Sequence, residues 1–365
     1  MKYDYLIVGA GLYGSVFAQQ LKEKKKTCLI IDKRNHIAGN CYTRKEDNID
    51  VHVYGCHLFH TNKKEVWDYV NKFAEFNNYR HTGKVNFKNK IFSFPINLMT
   101  MQQLWGISTP LEALQKLSEI RMPIENPKNM EEWCLSQIGE ELYETFVKGY
   151  SIKQWGKHPS LLPSSIIKRI PIRVDYNEDY FHDSLYQGVP KHGYTNMISN
   201  MIGNTKVELE TDFFKMDWKK YAKNLIFSGC IDQFFEYCFG KLDYRSLRWQ
   251  NEKHDNSYQG CGVMNYTGLE VDYTRIIEHK YFNYKNQENT IISKEYSVNF
   301  SSSEEGEPYY PINDKVNNLI YSKYNKLLKK HSNITISGRL GKYKYIDMDD
   351  CVSLALSDIK KIVDL

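Results

Sequence analysis

The chain has 365 residues, of which 41% are hydrophobic and 25% charged, and its 49 basic and 44 acidic side chains give a net charge of +5. A chain of this length can form roughly two or three domains with substantial cores, and it has no basic block of the kind that binds nucleic acid. The N-terminus lacks the pattern of a signal peptide, and no apolar run approaches the roughly 18 to 20 residues of a membrane-spanning helix. We therefore expect a cytoplasmic protein without nucleic-acid partners or membrane insertion. Eight scattered cysteines without CxxC pairs predict reduced thiols and no metal site.

The first forty residues have the order strand, glycine turn, helix, strand. An apolar run at 3–8 passes directly into GAGLYG at 9–14, residues 15–21 carry helical spacing, and a second apolar run at 27–32 ends in an acid. Two parallel strands need such a crossover helix between them. The pattern predicts the βαβ unit of a Rossmann-like dinucleotide-binding domain.

Each glycine of this turn has a mechanical reason. Gly9 permits the tight turn, Gly11 lets the backbone approach a pyrophosphate, and Gly14 allows close packing of the helix. The N-terminus of the helix supplies amides and a positive dipole to the phosphates. Asp32 lies eighteen residues beyond Gly14, where a carboxylate can accept hydrogen bonds from ribose hydroxyls. NAD and FAD proteins share this loop, so it leaves the choice of dinucleotide open.

The segment that follows changes from mixed structure to helices. Residues 65–76 carry an amphipathic helical stripe, and residues 85–94 alternate like a strand. Prolines then separate three helical segments, at 99–105, 111–120 and 131–150. We interpret these three segments as a helical insertion.

The second half of the chain alternates between β-like runs and helices. Residues 157–193 and 261–300 contain alternating apolar positions that fit an antiparallel sheet. A helix at 316–328, a strand at 333–338 and a last helix from Asp349 end the chain. These last elements predict a further strand, turn and helix unit.

Two segments favour FAD over NAD. The stretch after Asp32, which contains Gly39 and Asn40, extends the unit in a way that resembles the glutathione-reductase-like flavoproteins. The C-terminal turn at Gly338 and Arg339 also resembles their returning segment, which closes over the flavin. FAD is therefore the expected cofactor.

Longer motifs are spread over essentially the whole chain. They are GAGLYG, DKRNHIAGN, YGCHLFHT at 54–61, GYSIKQWGK at 149–157, IIKRIPIR at 166–173, DYRSL at 243–247, YTRIIEH at 273–279, EPYYPIND at 307–314 and GRLGKYKYIDMDD at 338–350. In this order they resemble the UDP-galactopyranose mutases of the bacterial type. The resemblance implies an α/β fold with a Rossmann-like FAD-binding domain, a helical-bundle insertion and a six-stranded antiparallel sheet. The expected ranges are 1–78, 194–240 and 318–365 for the FAD-binding domain, 96–156 for the helical domain, and 79–95, 157–193 and 241–317 for the sheet and substrate domain.

The resemblance also implies an activity. Members of the family are isomerases that interconvert UDP-galactopyranose and UDP-galactofuranose by ring contraction, without net redox change. N5 of reduced FAD attacks the anomeric carbon as UDP leaves, and a flavin–sugar iminium intermediate lets the sugar reclose as the smaller ring. The resemblance further implies an external reductant such as NAD(P)H or a reductase, a homodimer, and a supply of galactofuranose for cell-surface polysaccharide.

Site residues follow from positions that match the family motifs. Arg169 and Arg275 match the arginines that grip the diphosphate, and His60 lies in a segment that runs close to the flavin, so these three are the expected catalytic residues. The expected substrate-binding residues are Phe146, Tyr150, Ser151, Trp155, Tyr180, Arg245, Asn265, Arg275, Tyr310 and Tyr345. The expected cofactor-binding residues are Gly9, Gly11, Leu12, Gly14, Asp32, Lys33, Arg34, Gly39, Asn40, His57, Leu58, Arg339, Asp347 and Met348.

Other interpretations stay open at this point. A flavin oxidoreductase of the amine-oxidase type would share the FAD-binding unit, and so would a non-catalytic nucleotide-sugar or FAD-binding module. His57 and His60 have a spacing that could suggest a metal, but no third ligand is evident. The chain departs from the family pattern at Asp32, His81, Ser151 and Ser337, and these departures bear on fine specificity.

Overall fold

The computed structural model describes residues 2–168, 172–283, 287–300 and 306–363. The chain divides into two compact units. The first unit comprises Met1–Asn78, Ser184–Arg245 and Glu307–Leu365, and the second comprises Tyr79–Asp183 and Ser246–Gly306. The three-part division expected from the sequence stays a prediction.

Strands and helices alternate along the chain. The strands are β1 (Tyr3–Val8), β2 (Cys28–Ile31), β3 (Thr43–Glu46), β4 (Ile49–His52), β5 (Phe59–Thr61), β6 (Gly83–Phe87), β7 (Lys90–Phe94), β8 (Tyr186–Gly188), β9 (Lys206–Glu208), β10 (Ala222–Phe227), β11 (Tyr244–His254), β12 (Val263–Tyr266), β13 (Arg275–Glu278), β14 (Thr290–Asn299), β15 (Tyr310–Pro311) and β16 (Ile334–Ile336). The α-helices are α1 (Leu12–Glu23), α2 (Lys64–Asn71), α3 (Leu98–Trp105), α4 (Pro110–Ile120), α5 (Met130–Tyr143), α6 (Gly149–Trp155), α7 (Gly193–Ile202), α8 (Ile231–Phe234), α9 (Lys315–Leu328), α10 (Gly338–Gly341) and α11 (Met348–Val363). A π-helical turn, Glu144–Lys148, joins α5 to α6. Within the described ranges, no helix is both long and apolar enough to cross a membrane.

A five-stranded parallel sheet forms the centre of the first unit, in the order β16-β10-β1-β2-β9. The apolar run of β1 lies in the middle of this sheet, and Leu6 and Ile7 are completely buried. Helix α1 connects the parallel strands β1 and β2, which confirms the predicted βαβ unit. Tyr13 of α1 and Ser337 both donate to the buried carboxylate of Asp358, at 2.9 and 2.7 Å. These hydrogen bonds fix the first helix against the last, α11.

A second sheet has seven strands, one more than the six expected, in the order β15-β11-β14-β13-β12-β6-β7, and the strands from β14 to β7 belong to the second unit. Strands β14, β13 and β12 pair antiparallel, as β6 and β7 do. The pair β12 and β6 departs from the expected antiparallel arrangement, because these two strands run parallel. The chain from β6 to β12 is long, since it includes the helices α3 to α8, and parallel pairing needs a long crossover that returns the chain in the same direction.

The run at 85–94, expected as a single strand, is a hairpin of β6 and β7. Its two turn residues, Lys88 and Asn89, have φ values of 50° and 63°. Two successive left-handed residues make the tight turn whose twist matches the flanking strands. The prediction of one strand was wrong because no glycine marks this turn, and Asn89 is its only sequence signal.

The helices predicted after the hairpin are present, with one interruption. Asn97 and Thr109 cap α3 and α4 through reciprocal hydrogen bonds with the residues three positions later. The helix expected at 131–150 is interrupted at Gly139, which has a φ of 70° and a ψ of 179°. A Cβ at Gly139 would lie 2.4 Å from the carbonyl oxygen of Ile120. Glycine therefore lets α5 approach the end of α4 closely.

Candidate active site

The glycine turn between β1 and α1 leaves little room for side chains. Gly9 has a φ of +106°, and a Cβ at Gly14 would lie 2.1 Å from the carbonyl oxygen of Gly9. A Cβ at Gly11 would meet only the backbone of Gly39 among the described residues, at 3.7 Å. Helix α1 begins at Leu12 without an acidic side chain in its first turn and without a side-chain cap. Backbone amides, a positive dipole and an open approach beside Gly11 make this turn suited to a phosphate group.

Asp32 follows the last residue of β2 and fixes the geometry of the glycine turn. Its Oδ2 accepts from the amide of Ala10 at 2.8 Å, and its Oδ1 accepts from the amide of Arg34 at 2.9 Å. The side chain is only 8% exposed. A carboxylate has about four acceptor positions, so these two contacts leave capacity for the predicted ribose hydroxyls.

The polar residues after Asp32 form a linked group. Arg34 donates to Oδ1 of Asn40 at 3.0 Å, and its guanidinium lies 4.3 Å from the ring centre of Tyr54. Glu307 forms ion pairs with both basic residues: its Oε1 lies 3.0 Å from Nζ of Lys33, and its Oε2 lies 3.5 Å from Nη2 of Arg34. Gly11 forms an isolated β-bridge with Ala38. The segment that carries Lys33, Arg34 and Asn40 therefore lies beside the glycine turn.

The returning C-terminal segment brings its predicted residues together. Arg339 donates to the carbonyl oxygen of Ile346 at 2.9 Å, and its guanidinium lies 4.8 Å from the ring centre of Tyr345. Tyr345 stacks on Tyr310, with ring centres 5.9 Å apart. Asp347 precedes α11 and Met348 begins it. The amides and dipole of this helix start can stabilise negative charge.

Strand β15 joins Tyr310 to a buried arginine. Tyr310 pairs with Arg245 of β11, and the Arg245 side chain is 3% exposed. Burial lowers the pKa of Arg245 below its ordinary value. The first unit therefore places Arg245, Tyr310 and Tyr345 in one neighbourhood, as expected of residues that share a ligand.

The two histidines of the 54–61 motif have protein partners. Nδ1 of His57 contacts the carbonyl oxygen of Gly55 at 2.6 Å, and Nδ1 of His60 contacts Oγ of Ser184 at 3.2 Å. Leu58, which lies between the two histidines in the sequence, is half-buried. Among the residues described, no three His, Cys, Asp or Glu side chains come together in a group able to hold a metal ion.

The second unit holds Arg275 in an ion pair. Its Nε donates to Oε2 of Glu295 at 2.8 Å, and the Glu295 side chain is completely buried. Thr274 donates to the other carboxylate oxygen at 2.7 Å. Arg275 and Asn265 are direct partners across β13 and β12. Two residues expected at the substrate are thus neighbours, and Glu295 fixes the direction of the guanidinium.

His81 lies close to this arginine. Burial, together with the positive charge of Arg275, lowers the pKa of His81 to about 4. The ring of Tyr180 lies 5.3 Å from the His81 ring, and the Tyr180 amide donates to the His81 carbonyl at 2.7 Å. His81 is therefore neutral at pH 7 and packs against an expected substrate residue.

The remaining expected substrate residues of this unit lie on α6 and the turn before it. Phe146 belongs to the π-helical turn, is 3% exposed and stacks with Phe94 at 6.2 Å. Tyr150, Ser151 and Trp155 belong to α6, where Ser151 is buried and the two aromatic residues are half-buried. A π turn shifts the helical register, and such turns are frequent at functional sites.

Arg169, the other expected diphosphate arginine, lies outside the described residues. Sequence reasoning missed two charged residues that support the site, Glu295 and Lys153. Glu295 carried no clear signal, because it follows Ser293 and Lys294 in β14 and so is not marked as buried by an apolar run. Lys153 carried no signal either, because a lysine beside a polar segment is ordinarily solvated.

Two family models match the chain. One described as UDP-galactopyranose mutase matches residues 145–345, and one described as an NAD(P)-binding Rossmann-like domain matches residues 7–73. The second match covers the glycine turn and confirms a Rossmann-like dinucleotide-binding domain in the first unit.

Several known proteins are similar over nearly their whole length. A Klebsiella pneumoniae protein named probable UDP-galactopyranose mutase is 44% identical over 360 residues, which are 97% of this chain and 93% of that protein. The dTDP-fucopyranose mutase of Escherichia coli is 39% identical over 364 residues, which are 96% of each chain. A crystal structure of a reduced UDP-galactopyranose mutase superimposes with a TM-score of 0.77 at 16% identity, covering all of this chain and 94% of that one. This last likeness shows the fold alone.

Proposed function

The chain belongs to the UDP-galactopyranose mutase family, an isomerase family, and we propose that it interconverts UDP-galactopyranose and UDP-galactofuranose with reduced FAD bound. The proposal rests on one structural observation: the buried carboxylate of Glu295 accepts from Nε of Arg275 and so orients the Arg275 guanidinium. A guanidinium held in this way can meet a diphosphate with its planar fork, and it stabilises the charge that develops as the diphosphate departs.

The residues of the first unit fit FAD. The open approach beside Gly11 and the uncapped start of α1 suit its pyrophosphate, and Asp32 suits the ribose. Arg339, Asp347 and Met348 would lie at the isoalloxazine, where the start of α11 favours negative charge. Reduced FAD, when bound, would supply the electron-rich N5 that attacks the anomeric carbon as UDP leaves, with no net oxidation.

The other site residues would bind and orient the nucleotide sugar. Arg169 would assist Arg275 at the diphosphate, and the aromatic faces of Tyr150, Trp155, Tyr180 and Phe146 would pack against uracil and sugar. Tyr310 and Tyr345 form a stacked pair beside Arg245, which supports their assignment to the same ligand. Asn265 would bind the sugar and Ser151 would lie close by, and His57, Leu58 and His60 would support the flavin.

The relative named dTDP-fucopyranose mutase supports a second candidate substrate. It is 39% identical across nearly the whole chain, only slightly less than the first relative. The residues assigned here to a diphosphate and a sugar face would serve dTDP-fucopyranose equally well. Family membership does not favour a flavin oxidoreductase of the amine-oxidase type or a non-catalytic binding module.

A product assay tests the function. The FAD-loaded protein is reduced with dithionite and incubated with UDP-galactofuranose, and UDP-galactopyranose is measured by chromatography. Parallel incubations use dTDP-fucopyranose and the oxidised protein. We expect conversion of the UDP-sugar by the reduced protein only. Conversion of dTDP-fucopyranose alone would establish the second candidate, and conversion of neither nucleotide sugar would refute a mutase.

The resemblance also predicts the physiological setting of the protein, and this part stays a prediction. It comprises the external reductant, the homodimer, the cytoplasmic location and the use of galactofuranose in polysaccharide. Size-exclusion chromatography with light scattering would test the homodimer directly.

A further inference from the structure

Lys153 is partly buried on α6 and points its ammonium at a loop of the neighbouring sheet. Its Nζ lies 2.8 Å from the carbonyl oxygen of Tyr266, 2.7 Å from that of Gly268, 3.1 Å from that of Val271 and 2.9 Å from that of Tyr273. An ammonium has three protons, so four acceptors share all of them. A side chain that collects four backbone carbonyls in this way holds them in one arrangement.

Three of these carbonyls belong to the loop that joins β12 to β13, and the fourth belongs to Tyr266, the last residue of β12. The loop starts after Tyr266, the residue that follows Asn265 on β12, and ends at Arg275, the first residue of β13. Carbonyl oxygens that converge on one point repel each other unless a donor or a cation lies between them. The ammonium of Lys153 supplies both, and so the path of the loop depends on it.

The charge state of Lys153 suits this role at neutral pH. Burial lowers the pKa of Lys153 to about 8, and the nearby carboxylates of Glu270 and Asp272 act in the opposite direction. The amine is therefore mostly protonated at pH 7. A point-like ammonium fits among carbonyls on several sides better than a planar guanidinium does.

Further contacts press the same helix onto the same loop. A Cβ at Gly149 would lie 2.2 Å from the carbonyl oxygen of Thr267, so only glycine allows this approach. Thr267 donates from Oγ1 to the carbonyl oxygen of Thr145 at 2.6 Å, just before α6. Near the C-terminal end of α6, Ser297 of β14 donates to the carbonyl oxygen of Gln154 at 2.6 Å. Helix α6 therefore lies in close contact with the loop and with β14 on both sides of Lys153 in sequence, and the ammonium is the group that binds the remaining carbonyls of the loop.

From these contacts we infer that Lys153 is a positioning residue, which sets the register between α6 and the loop joining β12 to β13. Helix α6 carries Tyr150, Ser151 and Trp155, whereas the two strands that the loop joins carry Asn265 and Arg275. The ammonium acts through the backbone, because its four hydrogen bonds above are all to carbonyl oxygens. The inference rests on the proposed function, because it assumes that both sets of residues bind one nucleotide sugar.

The variant Lys153→Met tests this role in the full chain loaded with FAD. It keeps the length of the side chain but removes the charge and every donor. We expect the Kd for UDP and the KM for UDP-galactofuranose to rise about tenfold, which corresponds to about 1.4 kcal/mol of binding free energy lost as the binding groups are displaced. Flavin content should stay unchanged, because the glycine turn belongs to the other unit. Lys148→Met is the matched control, since Lys148 pairs with Glu144 at the surface, and it should leave UDP affinity unchanged.

A second variant and a second readout keep the inference falsifiable. Lys153→Arg retains the charge, and we expect it to fold and to lose less affinity for UDP than Lys153→Met. Hydrogen exchange of the amides at 266–274 should accelerate in Lys153→Met and not in Lys148→Met. If Lys153→Met does not fold, Lys153→Arg with wild-type UDP affinity and wild-type exchange overturns the inference. Normal UDP affinity in a folded Lys153→Met overturns it as well.

The exchange measurement separates this inference from the proposed function. If the wild-type protein converts no nucleotide sugar, the proposed function fails, and the role of Lys153 in positioning a substrate site fails with it. Faster exchange at 266–274 would in that case still establish Lys153 as the residue that holds the loop. If the wild-type protein is active and Lys153→Met matches it in UDP affinity and in KM, only the positioning role fails.

Discussion

Arg275 donates from Nε to Oε2 of Glu295 at 2.8 Å, and the receiving carboxylate is completely buried in strand β14. The register of the sheet brings them together, because Arg275 and Glu295 are direct partners across β13 and β14. Thr274 donates to the other oxygen of the same carboxylate at 2.7 Å. A buried carboxylate with two fixed donors gives the guanidinium a defined direction before any ligand binds, which is the kind of preorganisation that phosphate recognition needs.

We expect Arg275→Ala to abolish turnover and to lower the free energy of unfolding by about 3 kcal/mol, because it leaves a buried carboxylate without its cation. Adding Glu295→Gln removes that uncompensated charge. The double variant should therefore regain most of the stability and none of the turnover. Denaturant unfolding and the product assay on the same preparations measure the two effects separately.

The flavin spectrum is the internal control for these variants, since the predicted cofactor residues do not include Arg275 or Glu295. Full activity in Arg275→Ala would remove Arg275 from the site. A double variant no more stable than Arg275→Ala would show that the ion pair does not account for the lost stability.

The glycine turn predicts different results for two similar substitutions. A Cβ at Gly14 would lie 2.1 Å from the carbonyl oxygen of Gly9, whereas a Cβ at Gly11 would have no protein atom nearer than 3.7 Å among the described residues. Gly11 also has a φ of −81° and a ψ of −173°, which alanine adopts readily. Gly14→Ala should therefore destabilise the fold, while Gly11→Ala should fold normally and lose flavin.

Thermal unfolding and the flavin absorbance per mole of protein distinguish these outcomes. For Gly11→Ala we expect an unfolding temperature within a few degrees of the wild-type apoprotein. Comparison with apoprotein matters, because bound flavin itself raises the unfolding temperature. A Gly11→Ala protein with full flavin content would contradict the assignment of the space beside Gly11 to a pyrophosphate.

Local signals in the sequence were sufficient for much of the fold. The βαβ unit followed from apolar runs on both sides of a glycine turn, and the helix at 316–328 and the strand at 333–338 have counterparts in α9 and β16. The hairpin turn at Lys88 and Asn89 was not predicted, because its left-handed residues are not glycines. Local pattern reveals an element where side chains or glycines mark its ends, and it fails where the turn is fixed by pairing across the sheet.

The supporting residues of the candidate site could not be predicted for a related reason. Glu295 and Lys153 depend on partners twenty or more positions away in sequence, across a strand pair and a helix–loop contact. Neither spacing nor periodicity encodes such pairs. Motif resemblance located Arg275 itself, but the buried carboxylate that orients it was evident only from the register of β13 and β14.

His81 should make the stability of the protein depend on pH in the acidic range. Burial and the Arg275 guanidinium lower its pKa to about 4, from an ordinary value of 6.5. Between these values the unfolded chain binds a proton that the native protein does not, so stability falls as the pH falls through this window. The loss attributable to this one residue approaches roughly 3 kcal/mol at pH 4.

The variant His81→Gln isolates this contribution. It cannot take up a proton, so the difference in unfolding free energy between wild type and variant should change between pH 7 and pH 4 and remain constant above pH 7. Denaturant unfolding at a series of pH values measures this difference. A constant difference across the whole range would show that His81 titrates alike in the folded and unfolded states.

Asp32 should be needed both for the glycine turn and for flavin. Its two oxygens accept from the amides of Ala10 and Arg34, at 2.8 and 2.9 Å. In Asp32→Asn one oxygen becomes an NH₂ donor that faces one of these amide donors, so a buried amide loses its acceptor at a cost of about 1 to 3 kcal/mol.

Asp4→Asn is a matched control, because Asp4 accepts from the amide and hydroxyl of Thr27 near the opposite end of β1. We expect both variants to lose some stability but only Asp32→Asn to lose flavin, measured by absorbance after gel filtration. Equal flavin content in the two variants would mean that Asp32 serves the turn alone and contributes nothing to the dinucleotide.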